Sequence, residues 1–123
     1  MNQVVLYVAA AMTDLWGVAH LFATRRVVAG FGDLTKDNRR IITMEWIVEG
    51  VALISTATFV AAATAIQPGS TVSSGVYAVA ISTLVTLAVV SLFTDFRVAF
   101  LPFRLCPLIL SLSAAMIALG ACF

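Results

Sequence analysis

Polar and apolar positions along this chain fall into blocks and do not alternate residue by residue. Four apolar runs stand out: Val4–Thr24, Ile41–Ile66, Val76–Phe93 and Leu105–Phe123, the third able to continue to Phe96. A helix needs about 20 apolar residues to cross a hydrocarbon core of roughly 30 Å, and the runs meet or approach that length. A membrane barrel would show segments of about 10 residues with every second position apolar. The pattern predicts an all-α membrane protein: a four-transmembrane-helix bundle of two helical hairpins, one domain over residues 1–123.

Composition points the same way. Of the 123 residues, 62% are hydrophobic and 11% charged, with a mean hydropathy of +1.07, whereas soluble domains carry roughly 25% charged residues. Met1-Asn2-Gln3 brings no cation, and Asp14 interrupts a long first run. Span one is therefore expected to be retained and not cleaved as a signal peptide. Nothing here supports a soluble nucleic-acid role; the expected partner is the lipid bilayer, the bacterial inner membrane.

Charge adds an orientation. All seven cations, Arg25, Arg26, Lys36, Arg39, Arg40, Arg97 and Arg104, lie between spans one and two or between spans three and four. The linker Gln67–Gly75 and both chain ends have none. Lys and Arg accumulate on the cytoplasmic side, so both termini should lie outside and both basic loops inside. So one-sided a distribution disfavours the dual insertion of antiparallel small multidrug transporters.

Against this background, Glu45 and Glu49 in "MEWIVEG" are out of place. At about 1.5 Å per residue outward from Arg40, Glu45 lies roughly 7 Å into its span and Glu49 roughly 13 Å. Outward from Arg25, His20 lies roughly 7 Å in and Asp14 roughly 16 Å. His20 should then face Glu45, and Asp14 should face Glu49, across a hairpin interface. An acid near a helix centre costs about 2.5–3.5 kcal/mol on the insertion scale, while each large apolar residue returns only about 0.3–0.6. Such groups must be protonated, paired or facing a hydrated cavity.

Neighbouring residues fit a ligand site formed by Asp14, Trp16, His20, Glu45 and Glu49. Trp16 can supply an apolar wall, whereas Trp46 reads as an interfacial anchor. Gly17 and Gly50 permit close helix approach at one level. Thr13, Thr43 and Thr56 are expected to bond their own backbones. Arg25, Arg26 and Arg104 can bind lipid headgroups or supply a cation to the acids. Asp95 and Arg97 can pair locally.

The loops carry turn and cap signals. Gly30 and Gly32 allow a sharp reversal. Asp33, Thr35, Asp37 or Asn38 can cap span two, and Pro107 suits the first turn of span four. Ala114, Ala118 and Ala121 give span four a smooth face for packing or homo-oligomer formation. Cys106 and Cys122, about 24 Å apart on one helix, cannot form a disulfide and read as small packing residues. "LFATRRV" and "LFTDFRV" match at four of seven positions, a faint hint of a parallel repeat of hairpins.

The combination "HLFATRR…GFG…DNRR…MEWIVEG" with "LPFRLCP" resembles small bacterial four-helix membrane proteins. The layout is similar to that of DoxX-like proteins in length and span count. The resemblance covers the whole chain in layout; it implies the fold and transfers no activity or residue role.

Three functions follow from the cluster. The first is proton-linked binding or transport of a small hydrophobic, amine-bearing or lipid-like ligand. The second is an isomerase-type membrane enzyme on a lipid-like substrate, with Glu45, Glu49 and His20 as acid–base candidates; no nucleophile for hydrolysis is evident. The third is a non-catalytic accessory subunit. A hard-ligand set of Asp14, His20, Glu45 and Glu49 suits iron, manganese or zinc. The Glu-x-x-His motif of di-iron bundles is absent, however, so no metal or other cofactor is assigned.

The orientation is tested by labelling. In a Cys122→Ser background, a cysteine at Ser74 should react with an impermeant thiol reagent added outside, and one at Lys36 should not. The reverse pattern defeats the assignment.

Overall fold

A computed structural model describes all residues from Met1 to Phe123. It contains α1 (Gln3–Ala29), α2 (Lys36–Ile66), α3 (Thr71–Phe93), a 3-10 turn (Asp95–Arg97) and α4 (Leu101–Cys122), with no strand. All four helices are long and apolar enough to cross a membrane. The chain is an all-α four-helix bundle with the character of an integral membrane protein.

Helical structure overruns the apolar runs because polar side chains cap it. Asn2, Thr35 and Ser70 each accept a hydrogen bond from the backbone N–H three residues on, satisfying donors that a helix start leaves orphaned. Thr35 is thus the cap of span two among its four candidates. The α1–α2 turn uses the glycine freedom only at Gly32, whose φ is +72°. Pro102 occupies the first turn of α4 and Pro107 lies inside that helix, so the expectation for Pro107 is corrected. The helix starts at Leu101 because Phe100 is already in the extended conformation that a following turn needs. The proposed repeat is not structural either: its first copy is helical throughout α1, whereas its second straddles the end of α3.

The helices close into a ring in chain order. α1 packs most broadly on α2 and α3 on α4; α1 also meets α4, and α2 meets α3 along the thinnest seam. Buried positions recur three and four residues apart on every helix, such as Ala10, Thr13, Gly17 and His20 on α1 and Gly50, Leu53, Ala57 and Val60 on α2. That spacing keeps one stripe on the bundle axis. The opposite faces expose Leu15, Phe22, Phe59, Val72 and Leu108, an apolar exterior suited to lipid. Thr13, Thr43 and Thr56 each donate to the carbonyl four residues earlier, so their hydroxyls add no exposed polarity to the spans.

Packing is closest where α1 crosses α2. A Cβ added to Gly17 would lie 2.8 Å from the Gly50 carbonyl oxygen, and one added to Gly50 would lie 2.9 Å from that of Gly17. The two backbones are in van der Waals contact, which only glycine allows. Further contacts tie the other end. Asn2 N–H donates to the Gly120 carbonyl at 2.8 Å, and the Thr64 and Tyr77 hydroxyls are 2.9 Å apart between α2 and α3.

Gly50→Ala should therefore destabilise the bundle by about 1–3 kcal/mol, the usual cost of overpacking. Gly75, with nothing within 4 Å of its would-be Cβ, should accept alanine without loss. Thermal melts in one detergent compare the two; equal melting temperatures would refute the glycine contact.

Candidate functional site

The glycine contact determines what meets one turn nearer the basic loops. His20, only 5% exposed, faces Glu49, with Nε2 3.6 Å from Oε1. The depth-matched pairs are thus corrected: His20 does not face Glu45, and Asp14 does not pair with Glu49. Glu45 is exposed and Asp14 half-buried, and neither forms a side-chain hydrogen bond or ion pair. The reason lies in facing as well as height. With Gly17 level with Gly50, His20 falls between Glu45 and Glu49 in height, and of the two only Glu49, next to buried Gly50, turns toward α1, whereas Glu45 is exposed.

The imidazole is held on several sides. Its Nδ1 lies 2.8 Å from the Trp16 carbonyl oxygen. A carbonyl only accepts, so Nδ1 carries the proton and Nε2 points toward Glu49. The Trp46 ring stacks on His20, centroids 4.7 Å apart and planes at 26°. Trp46 Nε1–H donates to the His20 carbonyl at 2.6 Å, joining α2 to α1. Trp16 meets the imidazole edge-on at 5.6 Å, and Phe103 of α4 packs on Trp46 at 5.4 Å. Trp46, expected as an interfacial anchor, is instead part of the site: its indole N–H reaches a carbonyl on the neighbouring helix.

α4 adds a residue that the sequence reading set aside. A ring nitrogen of His20, a carboxylate oxygen of Glu49 and Cys106 Sγ all lie within 4.8 Å of one another. Ser91 of α3 follows, its Oγ 3.3 Å from Cys106 Sγ and 2.8 Å from Asp95 Oδ2. Thr94 Oγ1 donates to the other Asp95 oxygen at 3.0 Å. A polar chain thus runs Glu49–His20–Cys106–Ser91–Asp95 through all four helices. Asp95 does not pair with Arg97, because neighbouring hydroxyls hold its carboxylate.

Beside this chain lies a cavity of about 540 Å³, lined by Trp16, His20, Trp46, Phe103 and Cys106, with Arg26 and Asp95 also contributing. Glu49 is not part of the lining. No arginine reaches an intramembrane acid: Arg25 and Arg26 are exposed, and Arg104 donates through Nε to the Val98 carbonyl at 3.0 Å. The role of cation supply is therefore corrected for all three. The buried indole N–H of Trp16 has no acceptor. Cys106 and Ser91 carried one overlooked signal: each is close to a basic-end loop, at a depth similar to that of His20.

No family model, curated protein or solved structure matches the chain. The likeness to DoxX-like proteins rests on length and span count alone.

Trp46→Phe keeps the stacked ring and removes the donor to the His20 carbonyl. It should cost about 0.5–1.5 kcal/mol, one net hydrogen bond. An unchanged melting temperature would show that the contact contributes nothing.

Proposed function

We propose that the aromatic cavity at the basic end binds a small hydrophobic molecule carrying one polar group. The observation that carries this reading is the cavity itself: its volume of about 540 Å³ falls within the roughly 300–1,000 Å³ of small-molecule sites. Its wall is mainly rings and aliphatic carbon, with polar groups concentrated at His20, Cys106, Arg26 and Asp95. Such a lining buries an apolar body and orients a single polar end.

The charge pattern revises the ligand class. Arg26 and Asp95 offset one another, and Asp14, Glu45 and Glu49 do not line the cavity. The lining thus offers no excess of carboxylates to select an amine or exchange protons with it. A neutral amphiphile of sterol-like or short lipid character fits better. With the basic loops placed on the cytoplasmic side, as the cation distribution predicts, the ligand enters from the inner leaflet.

The two tryptophans of the chain both line this cavity, so intrinsic fluorescence reports occupancy. A brominated sterol titrated into the protein in nanodiscs should quench it saturably. Ala23→Phe, which fills the lining, should weaken that response about tenfold, or 1.4 kcal/mol. A dodecylamine competitor should displace the sterol poorly. Quenching that is non-saturable, or identical in Ala23→Phe, would leave the cluster a purely structural network of an accessory subunit.

A further inference from the structure

We propose that His20, Glu49 and Cys106 form a binding site for a divalent transition-metal ion of the zinc class. The inference needs only these three side chains and does not rest on the cavity binding a ligand. Their donor atoms come from α1, α2 and α4 and converge within 4.8 Å of one another. An imidazolium–carboxylate pair would account for His20 and Glu49, but not for the Cys106 sulfur that meets them. The His20–Glu49 separation of 3.6 Å exceeds a hydrogen-bond distance. Nδ1 is already committed to the Trp16 carbonyl, and the remaining nitrogen has one lone pair or one proton for two neighbours.

An ion resolves this geometry. With metal–nitrogen and metal–oxygen bonds of about 2.0–2.2 Å at a tetrahedral angle, those two ligand atoms stand about 3.3–3.5 Å apart. The observed 3.6 Å needs only a slight contraction. The outer partners also suit an ion: the Nδ1–H bond to a backbone carbonyl fixes the imidazole with Nε2 free, the usual support of a metal-bound histidine. The Ser91 hydroxyl, 3.3 Å from Cys106 Sγ, can turn its single proton from Asp95 to a thiolate, leaving the Asp95 carboxylate to Thr94.

The donor set selects the ion. Imidazole, carboxylate and thiolate together suit zinc, cobalt(II) or iron(II); magnesium and calcium want oxygen alone, and copper(I) wants more sulfur. Three protein ligands leave a fourth position open, as in catalytic and not structural zinc sites. His20 and Cys106 also line the cavity, so that position is reached from there. This set differs from the hard-ligand group anticipated from the sequence, since Asp14 and Glu45 are excluded and a sulfur replaces them.

Cobalt(II) is the probe, added to the purified full-length chain in detergent. One equivalent should bind per chain, with a thiolate-to-cobalt charge-transfer absorption in the near ultraviolet, and zinc should displace it. Cys106→Ser should abolish that absorption and weaken binding at least tenfold, whereas Cys122→Ser, at an exposed thiol, should change neither. Ser91→Ala should weaken binding about tenfold, as loss of an outer-shell partner does. Should Cys106→Ser fail to fold, Glu49→Gln serves in its place: the absorption persists at saturation but the affinity falls. The site is refuted if the absorption follows Cys122, if Cys106→Ser or Glu49→Gln binds cobalt as tightly as the parent chain, or if no stoichiometric binding occurs.

Discussion

The backbone contact between Gly17 and Gly50 governs the rest of the bundle. In a lipid environment helices gain little from burying apolar side chains against one another, since lipid is equally apolar; they associate through close packing and hydrogen bonds. Two facing glycines bring the backbones nearer than any other pair of residues would allow. A Cβ on Gly50 would lie 3.1 Å from His20 Cβ and 2.9 Å from Leu21 Cδ2, so the same contact seats the histidine. The α1–α2 register, the stacking of Trp46 on His20 and the meeting of His20 with Glu49 all follow from it.

The polar chain, which reaches Glu49 near the middle of α2, is tolerated because its members are shared. An uncompensated charge in the spans would be costly. His20 therefore has a carboxylate on one side, a carbonyl on another and two indoles around its ring. Asp95, at the mouth of the bundle, is held by two hydroxyls. Glu45, one turn nearer the basic loop, lies on the exposed face and takes no part in the chain. Each helix contributes to the chain, which links α2 to α3 by way of α1 and α4; the thin α2–α3 seam is bonded elsewhere, by the Thr64 and Tyr77 hydroxyls.

Much of this architecture was legible in the sequence. Run length gave the four helices, and Gly17 with Gly50 gave the level of closest approach. Residue counting inward from Arg25 and Arg40 paired the wrong residues, since it fixes height along the helices but not which acid of α2 turns toward α1; side-chain packing, not loop length, sets that. Glu49 and His20 were recognised as belonging together in one site, although with the wrong partners. Cys106 was not found, because the approach of α4 to α1 leaves no periodic or charge signal in one sequence. Trp46 was misread for a related reason: its indole N–H meets a carbonyl on another helix, a contact that hydropathy does not encode.

Pro107 lies inside α4, immediately after Cys106. Having no N–H, it leaves the Phe103 carbonyl without the donor that a regular helix would supply, whereas Pro102, in the first turn, removes no helix bond. The segment bearing Phe103 and Cys106 is thus the least reinforced stretch of backbone around the cavity, while α1 and α2 are locked together across it. The wall of the site is mechanically uneven: one side is stiff and the other compliant. Were the cavity to take a ligand as proposed, the first turns of α4 would yield before the glycine crossing.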